Sequence, residues 1–160
     1  MLNKDEILCT PEELVPVIHK FFEEIDLDPC SNPFSLIKAK TKYMPPLQNG
    51  LVLKWFGKIY VNPPWGYDFS SEGSVIFPWL CRCFSSYLEG AEVVGYLPYF
   101  TDSEWWKILI RMKPVGIVKV KESVSRIWEN DKAEITIPTA FIYWGERIRR
   151  FNKIFSFMVG

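Results

Sequence analysis

The stretch KIYVNPPWG, residues 58–66, sets an apolar run directly against an asparagine, two consecutive prolines and an indole. Isoleucine, tyrosine and valine favour an extended strand. The prolines end that strand, because proline has no N–H to donate to a sheet and its backbone torsion is fixed. The sequence therefore predicts a short buried strand whose carboxyl end is a rigid corner carrying Asn62.

Other segments of the chain repeat this arrangement. IDLD runs into Pro29, and EVVGYLP ends at Pro98, so two more strands are predicted to stop abruptly. In parallel sheets, ligands bind beyond the carboxyl ends of the strands. Asp28, Asn62 and Pro98 are therefore expected to border one cleft.

Helical patterns separate these strands. Residues 11–24 read as a helix with Thr10 as N-cap and Pro11 as its first residue, residues 75–90 as a helix closed by glycine, and residues 101–112 as a third. Alternating strands and helices predict an α/β fold, a mostly parallel central sheet with helices on both faces.

The carboxyl-terminal part follows a different order. VGIVKV and TAFIYWG read as strands with no helix between them, only a long polar segment, residues 121–138. They are expected to form an antiparallel edge pair. Residues 30–53 are predicted to be irregular, because they contain the turn-forming pairs Asn-Pro, Pro-Pro and Asn-Gly.

Length and composition exclude several classes of protein. The chain has 160 residues, enough for one compact domain over 1–160 and too few for a separate target-recognition domain. No apolar run reaches the roughly 18 residues of a membrane helix, and the start lacks a signal-peptide pattern, so a cytoplasmic protein is expected (host-cell cytoplasm if viral). His19 is the single histidine and the four cysteines read as small buried thiols, so no metal site is expected.

The charges are unevenly distributed although the net charge is zero. Residues 29–67 contain no acid but five lysines, and the tail after Trp144 has four cations against Glu146 alone. These cations are Lys38, Lys40, Lys42, Lys54, Lys58, Arg147, Arg149, Arg150 and Lys153. They are either a surface that contacts phosphates or solvated charges that balance the acidic N-terminal segment.

The Asn-Pro-Pro-Trp corner suits chemistry on a planar amine. The lone pair of such an amine is delocalised, and two acceptors placed on its hydrogens would free it for attack. Asn62 can offer its side-chain oxygen and Pro63 its backbone carbonyl, with Pro64 freezing both in place. Trp65 can offer a flat face to an extruded base. The alternative is a rigid loop corner without chemistry.

Five segments together resemble phage-type DNA N-6-adenine methyltransferases, which depend on S-adenosylmethionine. In order along the chain they are CTPEEL, DLDPCSNP, NGLVLKW, YVNPPWG and GYLPYFTDSEWW, within residues 9–106. The resemblance implies a Rossmann-like methyltransferase fold and catalysis by residues 62–65.

The same resemblance implies a cofactor site. Asp28, Pro29 and Cys30 would hold the methionine part of S-adenosylmethionine, and Thr10 and Pro11 would close over it. Residues 29–67 lack the acid that often binds the ribose, and Asn32 or Asn49 would take its place. Asn49 stands where the family often has Asp before Gly-Leu. The alternatives are that Thr10-Pro11 only starts a helix and that Asp28 is a turn residue.

The expected function is therefore methylation of the exocyclic amine of adenine in double-stranded DNA, by direct in-line attack on a flipped base. Residues 66–74 or 121–138 would read the DNA. Alternatives are methylation of RNA adenine or of a protein glutamine amide, or a catalytically inactive relative that binds nucleic acid.

Overall fold

A computed structural model describes residues 9–65, 75–126 and 134–156, except for the side chains of residues 121–126 and 134–135. Strands and helices alternate along most of this chain. In order they are a 3-10 helix at Glu12–Leu14, α1 (Val15–Phe22), β1 (Ile25–Asp28), β2 (Ala39–Lys42), β3 (Lys58–Val61), α2 (Ile76–Leu88), β4 (Glu92–Pro98), α3 (Glu104–Arg111), β5 (Gly116–Arg126), β6 (Glu134–Trp144) and α4 (Ile148–Phe155).

The strands form one six-stranded sheet in the order β2-β1-β3-β4-β6-β5. The first four are mutually parallel, while β6 is antiparallel to both β4 and β5. The predicted α/β class and the antiparallel pair near the C-terminus are thus confirmed. Of this antiparallel pair only β5 is an edge strand, because β6 lies inside the sheet between β4 and β5.

Helices cover the sheet on both faces, as predicted. On one face, Phe21 of α1 makes edge contacts with Tyr143 of β6 and with Phe151 of α4. On the other face, α2 packs against β4 and α3. Every residue from Val93 to Pro98 is buried, which requires cover on both sides of the strand.

Four elements differ from the sequence expectations. β2 lies in the segment predicted to be irregular. Its sequence AKTK has only one apolar residue, and it pairs with β1 alone at a sheet edge. Helix α4 was not predicted, since its basic residues mask the apolar spacing of Phe151, Ile154 and Phe155. Strands β5 and β6 extend into residues 121–138, the polar segment that was expected only to separate them.

In the part of the chain that the structure describes, no helix is long and apolar enough to cross a membrane.

Candidate active site at the carboxyl ends of the parallel strands

Strands β1, β3 and β4 end at the same edge of the sheet. Leu27 is in register with Ile59, and Val61 with Gly95, so the parallel strands advance together. Asp28 therefore ends β1 at the edge where Asn62 follows β3 and where β4 ends. The strand ends thus meet on one side of the sheet, while the expected cleft between Asp28, Asn62 and Pro98 stays a prediction. Residues 66–74, expected to read DNA, lie outside the described residues.

Asn62 is held by the N-terminal segment. Its amide Nδ2 donates to Thr10 Oγ1 at 3.4 Å, and Thr10 Oγ1 lies 2.6 Å from the hydroxyl oxygen of Tyr60. Pro63 is buried and Pro64 is exposed, so the corner is fixed on one side and open on the other. A chain of three polar side chains thus fixes the orientation of the amide.

The prediction that Thr10 caps the first helix is wrong. The 3-10 helix begins at Glu12 after Pro11, and no side-chain hydrogen bond caps it. The hydroxyl of Thr10 is instead engaged with Tyr60 and Asn62. Thr10 therefore connects the N-terminal segment to the corner, and its expected place over the methionine part of the cofactor stays a prediction.

Tyr60 is the residue that the sequence analysis missed. It is buried, and burial raises the pKa of its phenol well above the usual value. The phenol is thus a neutral hydrogen-bonding group. Side chains alternate along a strand, so residues 60 and 62 point to the same side, and this spacing was the available signal.

Asp28 is a buried carboxylate that has no strong partner. It is 3% exposed, and its Oδ1 accepts a hydrogen bond from the backbone N–H of Cys30 at 3.2 Å. Burial raises the pKa of Asp28 to about 6, although this hydrogen bond, the side chain of Ser31 and the charge of Lys42 act in the opposite direction. No Lys or Arg of residues 9–65, 75–120 or 136–156 forms an ion pair with it.

Cys30 contributes its backbone rather than its thiol. Burial, with the charge of Asp28, raises the pKa of the Cys30 thiol far above its ordinary value, so the sulfur stays protonated. A protonated buried thiol is a poor nucleophile. The backbone N–H of Cys30 donates a hydrogen bond to the Asp28 carboxylate. In a separate contact, Cys9 Sγ of the N-terminal segment lies 3.7 Å from Asn32 Oδ1.

Pro29 and Asn49 border one small cavity. A Cβ at position 50 would collide with the Pro29 carbonyl, so only glycine allows the two segments to approach this closely. The Asn49 side chain accepts a hydrogen bond from the backbone N–H of Leu51 at 3.0 Å. The cavity measures about 240 Å³ and is lined by Pro29, Pro45, Pro46, Gln48, Asn49, Gly50 and Trp79.

The segment beside this cavity is held by side-chain bonds to backbone carbonyls. Trp55 Nε1 donates to the Gly50 carbonyl at 2.7 Å, and Tyr43 donates through its hydroxyl to the Lys54 carbonyl at 2.6 Å. Arg82 of α2 donates to the Leu53 carbonyl at 2.6 Å. These three side chains hold the backbone of residues 50–54 in place, although this segment does not pair with a strand.

Trp65 lies inside the corner. The indole is 3% exposed, and its ring centroid lies 6.1 Å from that of Tyr96 at an angle of 37°. This burial disagrees with the expectation of a flat face open to a base. In the described structure Trp65 supports the corner from within.

The site residues fall into two adjoining groups. Thr10, Tyr60 and Asn62 form the first, and Asp28 with Cys30 the centre of the second. The groups are close enough for the Asp28 charge to raise the pKa of Tyr60 further. Comparison of the chain with protein families, with curated proteins and with solved structures gave no match.

Proposed function

We propose that this protein transfers a methyl group from S-adenosylmethionine to the exocyclic amine of adenine in double-stranded DNA, and that its sheet and helices form a Rossmann-like methyltransferase fold. The observation that carries the proposal is the corner of residues 62–65. It follows an inner parallel strand at the ligand-binding edge of the sheet, and the hydroxyl of Thr10 holds its asparagine.

The geometry of the corner suits a planar amine. With its Nδ2 directed to Thr10, the amide of Asn62 has a defined orientation, and its oxygen is the acceptor for an amine hydrogen. The backbone carbonyl of Pro63 is the second acceptor. The freed lone pair would form the new N–C bond while the bond between the methyl group and the cofactor sulfur breaks. S-adenosylhomocysteine would leave, and the extra proton on the amine would pass to solvent. Acceptors fixed before the reaction need little reorganisation.

The second group of residues fits the cofactor. S-adenosylmethionine, when bound, would supply an electrophilic methyl group on a positively charged sulfur. Asp28 is a buried carboxylate without an ion pair among the described residues, and it complements a cationic amino group. Pro29, Cys30, Thr10 and Pro11 would surround the same part, and Asn49 would border the adenosine part.

The target base has to leave the duplex to reach Asn62, because its amine is paired within the helix. Since Trp65 is buried against Tyr96, stacking on the indole would require the corner to open. We therefore assign Trp65 first to supporting Pro63 and Pro64, and second to contacting the extruded base.

A transfer assay with labelled methyl groups tests the proposal. Duplex DNA, structured RNA and unfolded protein are offered in parallel with tritiated cofactor, and the labelled product is digested and identified. N6-methyladenine from DNA is expected. Label in RNA or in glutamine would replace the proposal with one of its alternatives.

A second measurement addresses the inactive alternative. Calorimetric titration with S-adenosylhomocysteine should show saturable binding at one site. A chain that binds DNA but neither binds this ligand nor transfers methyl groups would be a nucleic-acid-binding relative without activity.

A further inference from the structure

Helices α1 and α4 border an open groove on one face of the sheet. Its volume is about 490 Å³, and its lining residues are Lys20, Arg149, Arg150, Lys153 and Ile154. Every polar side chain in this lining carries a positive charge. We call it the α1–α4 groove.

One of these cations, Arg150, has a structural role in the groove. Arg150 donates from Nε to the Phe21 carbonyl at 2.9 Å and from Nη2 to the Lys20 carbonyl at 2.6 Å. The same Nη2 lies 3.2 Å from Glu23 Oε1. These bonds tie α4 to the last turn of α1, where backbone carbonyls lack helical partners.

The other three cations have no such structural role. Lys20, Arg149 and Lys153 are exposed, and none forms an ion pair or a side-chain hydrogen bond within the described ranges, 9–65, 75–120 and 136–156. Helix α4, with the sequence IRRFNKIF, contains no acid that could pair with them.

The arrangement costs stability in the absence of a ligand. Arg149 and Lys153 are four residues apart on α4, and like charges at this spacing repel. Some cations elsewhere in the chain are paired: Arg147 binds Glu92, and Lys40 binds Glu24. An unpaired cluster that lines a groove is instead complementary to an anionic partner.

We propose that the α1–α4 groove binds the phosphate backbone of DNA flanking the methylation target. The choice of DNA as the polyanion rests on the proposed function. From Thr10 at the corner to Lys20 is ten residues of mostly helical chain, or about 15 Å. At about 3.4 Å per nucleotide, the contacted phosphates lie roughly four to five nucleotides from the target base.

The lining favours a nucleic-acid backbone over a lipid surface. Binding to a membrane surface uses exposed apolar side chains that enter the bilayer. The single apolar residue of the groove, Ile154, is 6% exposed and forms its floor. Arg and Lys at the rim are the side chains that contact phosphates most often in protein–DNA complexes.

Equilibrium binding without cofactor tests the inference. Affinity for a labelled 24-base-pair duplex is measured by anisotropy between about 50 and 200 mM salt for the wild type and for the double variant Arg149→Gln/Lys153→Gln. Losing two phosphate contacts should make the slope of log K against log salt shallower by about 1.8 and weaken binding at least several-fold.

The matched control is Arg111→Gln/Lys113→Gln, which removes the same charge from exposed positions on and just after α3, on the opposite face. It should keep the wild-type slope. Unchanged thermal midpoints establish that both variants are folded. If the double variant fails to fold, Lys20→Gln replaces it, with an expected change in slope of about 0.9.

Two results would overturn the inference. Equal slopes for the groove variant and the α3 control, or no binding of DNA at all, would remove the groove from DNA contact. Competition by polyglutamate as effective as that by DNA would assign it to an acidic protein segment. The binding measurement needs no cofactor, so it is independent of methyl transfer. If the salt slope changes as expected but the protein transfers no methyl group, the groove is a DNA-binding surface and the proposed function is overturned.

Discussion

Two carboxylates that are largely withdrawn from water lie at opposite edges of the same sheet. Glu92 begins β4 at the amino edge, and Asp28 ends β1 at the carboxyl edge. Glu92 accepts hydrogen bonds from Arg147 Nε at 2.9 Å, from Arg147 Nη2 at 2.6 Å and from the Tyr143 hydroxyl at 2.6 Å. Asp28 has one backbone donor, Cys30, and no ion pair among the described residues.

The pKa values of the two carboxyl groups shift in opposite directions. Burial alone would raise the pKa of Glu92, but the hydrogen bonds from Arg147 and Tyr143 outweigh it and lower the pKa. At Asp28 burial prevails and raises the pKa to about 6. A buried charge that the fold neutralises stabilises the fold, whereas one left without a cation is suited to a ligand. We therefore interpret Glu92 as a carboxylate that stabilises the fold, and we propose Asp28 as one that binds a ligand.

The largest expected difference between the edges is in catalysis. Asn62→Ala removes the amide acceptor of the corner and should lower methyl transfer by about two orders of magnitude or more, with cofactor affinity retained. Single-turnover transfer to duplex DNA measures this. Glu92→Gln, at the other edge, is the control and should keep its rate per folded molecule. Near-normal turnover by Asn62→Ala would remove the corner from the mechanism.

For the free energy of unfolding we expect the reverse: the change at Glu92 should have the larger effect. Glu92→Gln loses a charged acceptor and leaves Arg147 without its carboxylate, so the free energy of unfolding should fall by roughly 2 kcal/mol. We discount the larger cost of a fully buried pair, since the two side chains are 16% and 33% exposed. Urea denaturation at pH 7 measures the change. No loss would show that the amino edge is not a structural anchor.

The pH dependence of stability sharpens the contrast. The native Asp28 carboxyl holds its proton to about pH 6, and an unfolded one releases it near pH 4, so this group makes stability fall as pH rises through that window. The full shift corresponds to about 3 kcal/mol, an upper limit. Asp28→Asn should therefore be about 1–2 kcal/mol more stable than wild type at pH 8 and no different at pH 4.

Denaturation of both proteins across pH 4–8 measures this difference. The same variant should bind S-adenosylhomocysteine more weakly at pH 8, because the amide cannot pair with a cationic amino group. In the wild type that affinity should decline as pH falls through about 6. An Asp28→Asn protein with wild-type affinity and wild-type stability at every pH would make Asp28 a turn residue only.

The smallest expected effect is at Tyr60. Tyr60→Phe keeps the buried ring and deletes the hydroxyl that lies 2.6 Å from Thr10 Oγ1. Methyl transfer should drop about three- to tenfold through looser positioning of Asn62, without a change in cofactor affinity. A rate that does not change would show that Thr10 holds the amide without help from the phenol.

Local signals predicted the elements that local chemistry controls. Ser103 caps α3 by accepting a hydrogen bond from Trp106 N, as a serine just before a helix commonly does. Helix α2 ends at Leu88, just before Gly90, whose φ of 102° suits glycine. The missed elements depend on neighbours: β2 is a strand because it pairs with β1, and α4 packs its phenylalanines onto Tyr143 and Phe141.

The sequence by itself determined that β3 stops at Asn62 and that a rigid corner follows, because proline's missing N–H and fixed torsion act on the residues beside it. Tertiary structure alone decided the partners of that corner. Thr10 and Tyr60 are 50 residues apart in sequence, and Lys20 and Arg150 are 130 apart. The shifted pKa of Asp28 and the buried indole of Trp65 likewise follow from the exclusion of water, which depends on the whole packed fold.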